Sequence, residues 1–177
     1  MKYLIKNLDD KYNNIIITKL KKEGIIIKLQ DYGEVELLKI INSQAETEML
    51  INTLLKKWNM ELICGQKNIL CEKIKKIVEE IVFSEKLPLI TFSIYLSKKT
   101  GYHYTYLSNI FSEMEGITIT QYIIIQKIER VKAMLTIEKL SLEKVVILMK
   151  YSSTGHLSRQ FKKITGMSPT TFKNKSL

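Results

Sequence analysis

The sequence predicts an α+β amino-terminal module of order βαββαβ followed by an all-helical half in which one unit occurs twice. Three observations carry this prediction. Up to about residue 65, short apolar runs alternate between the period of a strand and the period of a helix. Beyond residue 100, Leu107, Ser108, Phe111, Gly116, Thr120 and Tyr122 recur fifty residues later as Leu157, Ser158, Phe161, Gly166, Thr170 and Phe172. Thr118 is matched by Ser168, and Tyr102 by Tyr151 once a single extra residue is allowed, so the repeat spans both apolar and polar positions. Third, the charge is divided unevenly. Residues 1–65 hold ten lysines against nine acids, a net +1, whereas residues 66–177 hold sixteen lysines and two arginines against nine acids, a net +9.

Each element of the first module has a local cause. Lys2 to Asn7 alternates apolar Tyr3 and Ile5 with polar neighbours, Leu4 excepted, and reads as a strand. Asp9 or Asp10 caps a helix whose apolar face carries Ile16, Ile17 and Leu20 and which Gly24 ends. Ile25 to Leu29 is β-branched and apolar, Asp31-Tyr32-Gly33 supplies a turn, and Val35 to Ile41 returns as the second strand of a hairpin. Ser43 followed by Glu46 forms a capping box opening a helix with Met49, Leu50, Thr53, Leu54 and Lys57 around its partly apolar stripe. Met60 to Cys64 closes the module as a short strand. That order predicts a ferredoxin-like sandwich over residues 1–65.

The second half, residues 66–177, reads as helix throughout. Asn68 to Phe83 places Leu70, Ile74, Ile77, Val78, Ile81 and Val82 on one face, a packing helix that Leu87-Pro88 ends. Thr91 starts a short helix bearing Ile94, Tyr95 and Leu96, Gly101 permits a tight turn, and a second helix runs from about His103 through Phe111, giving a helix-turn-helix unit over about 91–113. Thr118 with Gln121 forms a capping box for a long connecting helix reaching about Leu135. The repeat then identifies Leu142 to Met149, capped by Ser141, with the first short helix, although Val145-Val146-Ile147-Leu148 alone has the composition of a strand. Ser152 or Ser153 caps the following helix, which ends near Gly166, so the second unit covers about 141–165. Ser168-Pro169 opens a terminal turn.

Several function classes are excluded by composition. A secretory leader is not expected, because Met1 runs directly into a segment carrying Lys2 and Lys6, and the longest apolar run, Val145 to Met149, is too short to span a bilayer. The expected location is the cytoplasm. Cys64 and Cys71 fit no zinc spacing and are expected to be reduced and structural, so neither metal nor other cofactor is expected. The basic second half calls for a polyanionic partner.

Two resemblances sharpen the reading. Residues 1–65 resemble the heavy-metal-associated domain, in which the first strand leads to a Met-X-Cys-X-X-Cys loop. Here that loop is Leu8-Asp9-Asp10-Lys11-Tyr12-Asn13, with Asp10 and Asn13 in place of the thiolates, so the resemblance implies the fold and not an affinity for soft metals. An acylphosphatase-like enzyme on that fold needs an arginine to hold phosphate, and residues 1–129 contain none, so no catalytic residue is assigned.

The helical half resembles the AraC/XylS-type DNA-binding domain over residues 68–175. The pattern is Lys127-Ile128, Val131, Met134-Leu135, Ser141-Leu142-Glu143, Val145-Val146, Tyr151-Ser152-Ser153, Leu157-Ser158-Arg159, Phe161-Lys162-Lys163, Gly166 and Ser168-Pro169. Lys150 replaces the usual glycine of the second turn, which implies a strained backbone conformation there, and Val146 replaces a small residue where two helices touch, which implies a wider crossing. The resemblance implies bacterial transcriptional control, with double-stranded DNA as partner and RNA polymerase as a possible second one. Residues 1–65 would supply a protein-partner surface, self-association or ligand control.

Candidate contacts follow from helix geometry. In the second unit Leu157, Phe161 and Ile164 form the packed face, leaving Thr154, Gly155, Ser158 and Arg159 for base edges. In the first, Leu107, Ile110 and Phe111 face inward and Tyr104, Thr105, Ser108 and Asn109 face the groove. Arg159 suits guanine and Asn109, its counterpart, suits adenine, so the two units are expected to prefer different bases. Tyr102 is expected to be buried. Lys98, Lys99, His156, Lys162, Lys163 and Lys173 are candidate phosphate contacts that fix position without reading sequence. Two rival readings remain: an interaction or adaptor protein whose helical domain has lost DNA binding, and a metal-responsive sensor.

Overall fold

The computed structural model describes residues 2–84 and 91–175; the Leu87-Pro88 helix stop predicted from sequence lies outside them. The chain divides into two compact units. One comprises the segment ending at Lys76 together with Ser93–Ile110, and the other the segment beginning at Ile77 together with everything from Phe111 onward.

The first unit contains a four-stranded antiparallel sheet. Strands β1 (Lys2–Lys6), β2 (Ile26–Leu29), β3 (Glu34–Lys39) and β4 (Glu61–Ile63) are arranged β2-β3-β1-β4, with helix α1 (Asn13–Lys22) between β1 and β2 and α2 (Gln44–Lys56) between β3 and β4. Tyr3 pairs with Val35 and Ile5 with Leu62, which fixes the inward set of the central strand on both sides. Asp9 opens a single 3-10 turn by accepting from the Lys11 amide, and α1 continues from it. The core beneath the sheet gathers Tyr3, Ile5, Ile27, Val35 and Leu62 with Ile16 and Leu20 of α1 and Ile51 and Leu55 of α2.

One expectation for this unit, the apolar stripe of α2, is corrected in part, and the exception at Leu4 finds its place. Leu4, the exception to the alternation, is fully buried, and helix α3 (Gln66–Phe83) is anchored to the sheet through its amino-terminal half. Lys76 Nζ donates to the carbonyls of Ile5 and Tyr32, and Lys73 pairs with Glu34 at 2.8 Å. The buried row of α2 is Thr47, Ile51 and Leu55; Leu50 and Leu54 pack at its edge, whereas Met49 is 75% exposed and Thr53 and Lys57 are exposed too. Thr47 sets that rotation: its hydroxyl donates to the Ile41 and Ser43 carbonyls and accepts from the Ile41 amide, tying the first turn to the chain leaving β3. Ser43 does cap α2, accepting from the Glu46 amide.

The helices α4 (Phe92–Thr100), α5 (Tyr104–Glu115), α6 (Ile119–Thr136), α7 (Leu142–Leu148), α8 (Thr154–Thr165) and α9 (Pro169–Lys175) follow. Thr118 and Gln121 form the reciprocal capping box at α6, Ser141 caps α7 through the Lys144 amide, and Ser153, not Ser152, caps α8 through the His156 amide. Within the second unit α6 packs against α7, α8 and α9, burying Ile128, Val131, Met134 and Leu135. The strand-like Val145-Leu148 run is helical: α7 buries Val145 and leaves Ile147 74% exposed. No helix among the described residues is long and apolar enough to cross a membrane.

Candidate nucleic-acid interface

Helices α5 and α8 are built alike from equivalent residues. Leu107 and Phe111 on α5 are fully buried, as are Leu157 and Phe161 on α8. Each buried phenylalanine meets an aromatic ring one helix later, Phe111 against Tyr122 and Phe161 against Phe172, both with ring centroids 5.5 Å apart. Each helix ends in a left-handed glycine, Gly116 at φ 69° and Gly166 at φ 79°, and the next is opened by a hydroxyl cap, Thr118 or Ser168. The sequence repeat is therefore a repeat of packing and capping.

The faces turned away from these contacts also match. Thr105 and Asn109 are exposed on α5, as are Thr154, Gly155 and Arg159 on α8, while Ser108 and Ser158 are both half-buried. Tyr104 is half-buried. Residues spaced i, i+4 and i+5 from the first turn thus form a polar strip on each helix, opposite the leucine–phenylalanine row. Ile164 belongs to neither face cleanly: it is 39% exposed, since the packed row of α8 is closed by Leu157 and Phe161 and Ile164 falls at its flank, correcting its placement in the packed face.

Charge separates the candidates further. Arg159 has no acidic partner among the described residues, whereas the other arginine, Arg130, is held by Glu138 at 2.6 Å and lies over the Phe83 ring. Lys162 and Lys163 are exposed in the last turn of α8, where the helix dipole favours cations. Lys98 and Lys99 end α4 and are exposed; Lys99 Nζ sits 5.3 Å from the Tyr32 ring centroid and 5.5 Å from that of Tyr95. Lys173 is half-buried and donates to the Leu140 carbonyl at 2.9 Å. His156 is exposed but engaged, with Nδ1 3.0 Å from Ser152 Oγ and its ring edge-on to Tyr151.

The turns preceding the two helices differ in one residue. Gly101 holds φ 78° in the first, and Lys150 holds φ 54° in the second, so the lysine occupies the left-handed conformation that glycine adopts in its counterpart. Tyr151, next in the chain, donates to Gln160 Oε1 at 2.6 Å, and burial pushes its hydroxyl up to about 12. Lys127 lies 5.9 Å from that ring, and its own burial holds its ammonium below the usual lysine range. Tyr102 is half-buried, not enclosed as expected from its match to Tyr151, because its hydroxyl accepts from Gln66 Nε2 at the surface. Its ring stacks on Tyr106, 5.2 Å away. Tyr106 is 44% exposed, and the fifty-residue offset pairs it with His156.

No group of three or more metal-ligating side chains is gathered among the described residues, and in the loop after β1 Asn13 Nδ2 donates to Asp10 Oδ1 at 3.2 Å.

Residues 96–175 match the family model described as a helix-turn-helix domain. No curated protein matches the sequence. Among solved structures, the chain is similar in fold to the C-terminal domain of AraT, a response regulator from Geobacillus stearothermophilus, at 16% identity and a TM-score of 0.52, covering 63% of this chain and 88% of that one. It is also similar to a DNA-binding transcriptional dual regulator from Escherichia coli K-12, at 16% identity and a TM-score of 0.51, covering 60% of this chain and 91% of the other.

Proposed function

We propose that the chain is a sequence-specific DNA-binding transcription regulator of the AraC/XylS type, in which α5 and α8 enter successive major grooves of one duplex. The observation that carries this reading is the matched pair of exposed polar strips on two helices whose opposite faces are equally buried. A helix packed on one side and polar on the other is what a major groove admits, and half-sites one helical turn apart lie about 34 Å from each other.

In this reading Arg159 makes a bidentate contact to guanine, with Thr154, Gly155 and Ser158 beside it, and Asn109 pairs with adenine, flanked by Tyr104, Thr105 and Ser108. Lys98, Lys99, Lys162 and Lys163 hold phosphates, and His156 and Lys173 contribute through the small shifts that would free their polar atoms. Residues 66–177 form the DNA-binding half. Residues 1–65 form a ferredoxin-like regulatory module of the heavy-metal-associated kind, a reading supported by the βαββαβ element order and the β2-β3-β1-β4 sheet. The cytoplasm is its place of action and RNA polymerase its second partner.

Selection of the full chain on a pool of random duplexes tests the proposal. Enrichment of a bipartite site, with the preference at a guanine in one half relaxed in Arg159→Ala, is the expected result. Recovery of sequences no different from the input pool would instead support the adaptor reading.

A further inference from the structure

The first unit holds a cavity of about 510 Å³ where β1 begins, within the range of about 300–1,000 Å³ typical of small-molecule sites. Ile69 and Leu70 of α3 supply its apolar wall. Its charged lining is balanced in an unusual way. Lys73 and Glu34 cancel through their 2.8 Å bridge, but Lys2 and Glu48, which also face the cavity, take part in no ion pair among the described residues.

Glu48 is nonetheless fixed. Its Oε1 accepts from Gln44 Nε2 and from the Tyr3 hydroxyl, each at 2.7 Å, and these bonds hold the carboxyl below the usual carboxylate range. All these donors are neutral. They orient the anion without cancelling it, which leaves one positioned negative charge, one positive charge and an apolar surface around a single cavity.

We propose that this cavity binds a small zwitterion with an ammonium group and a carboxylate on an apolar body, as in a free α-amino acid. Glu48 takes the ammonium, Lys2 the carboxylate, and Ile69 with Leu70 the side chain. An amine alone or an acid alone leaves one of the two lining charges unanswered. Tyr102 also lines the cavity, its hydroxyl accepts from Gln66, and its ring stacks on Tyr106 of α5. Resting on the DNA-binding reading above, this contact makes the zwitterion the signal that the first recognition helix receives.

Isothermal titration of the full chain without DNA tests the site, using L-leucine, L-leucinamide and N-acetyl-L-leucine. Leucine is expected to bind with a Kd below about 1 mM. The amide and the acetyl derivative, each lacking one charge, should bind about tenfold more weakly or worse, as should leucine to Glu48→Gln and to Lys2→Gln. Leucine should also slow alkylation of half-buried Cys64, with buried Cys71 as the unreactive reference. No binding of leucine, equal binding of all three compounds, or unchanged affinity in both variants would each overturn the proposal. Leucinamide binding as well as leucine, with loss only in Glu48→Gln, would replace the zwitterion by a simple amine and overturn it as stated. Since DNA is absent, these outcomes are independent of the duplex selection; leucine that binds yet leaves duplex affinity unchanged overturns its role as signal.

Discussion

The two helix-turn-helix units share a frame and differ in what they show to solvent. Leu107 and Leu157, Phe111 and Phe161, and the terminal Gly116 and Gly166 are interchangeable in role, while in the repeat Asn109 corresponds to Arg159, Tyr106 to His156 and Gly101 to Lys150. The difference teaches which positions obey packing and which are free for recognition. At Leu107 and Leu157 and at Phe111 and Phe161, fully buried in both helices, the duplication has kept size and shape, because a methylene gained or lost in a packed interior is felt at once. On the exposed faces of α5 and α8, at Thr105 and Gly155 and at Asn109 and Arg159, the residue has changed in charge or hydrogen-bonding pattern, the properties that discriminate base pairs.

The comparison can be broken most forcefully at the shared frame. Phe111→Ala and Phe161→Ala each remove a fully buried ring, and each should cost about 3–5 kcal/mol in a urea unfolding experiment. Comparable losses mean that the two units are structurally equal; a loss below 1 kcal/mol in either would show that its phenylalanine does not close a core. The next effect lies on the changed face. Arg159→Ala should weaken binding to a selected duplex by about 1–3 kcal/mol and relax preference at a guanine, whereas Asn109→Ala should relax it at an adenine in the other half-site. Relaxation at the same base pair in both variants would refute the division of labour.

Smaller effects test the turns. Lys150→Gly relieves a left-handed lysine and should raise stability by about 1 kcal/mol, while Gly101→Ala imposes that conformation on a residue with a Cβ and should lower it by a similar amount. Opposite signs at equivalent positions are the specific expectation, and thermal melting of the two variants reads them. The smallest effect is one of pH. The Tyr151 hydroxyl titrates near 12 in the folded chain and near 10 when unfolded, so its share of stability is intact below pH 10 and is lost as pH rises from about 10 through 12. Tyr3 is likewise pushed up to about 12, so Tyr151→Phe should lessen the alkaline loss of stability without abolishing it.

The helical half was legible in the sequence because its duplication repeats caps and glycines as well as apolar residues. Thr118, Ser141, Ser153 and Ser168 each cap a helix, with Ser153 chosen over the neighbouring Ser152 by its bond to the His156 amide. Less legible were positions decided by a distant surface. On α2 two overlapping stripes share a helical period: Leu50 and Leu54 of the expected one pack at the edge of the core, Met49 is exposed, and the buried row is Thr47-Ile51-Leu55, with Thr47 tied to Ser43 and Ile41. Leu4 breaks the alternation of β1 and is fully buried, and the anchors of α3 to this sheet, Lys73 on Glu34 and Lys76 on the Ile5 carbonyl, come from residues far along the chain that no local pattern announces. The stack of Tyr102 on Tyr106 was hidden because the pairing of Tyr102 with buried-looking Tyr151 concealed its surface partner Gln66.

Hydroxyl-radical footprinting of the full chain on its selected duplex addresses the central claim most directly. Two protected patches on one face of the duplex, about 34 Å apart, with Arg159→Ala clearing one and Asn109→Ala weakening the other, is the result predicted by a pair of like helices reading successive grooves. A single protected patch, or protection that neither substitution changes, would contradict it.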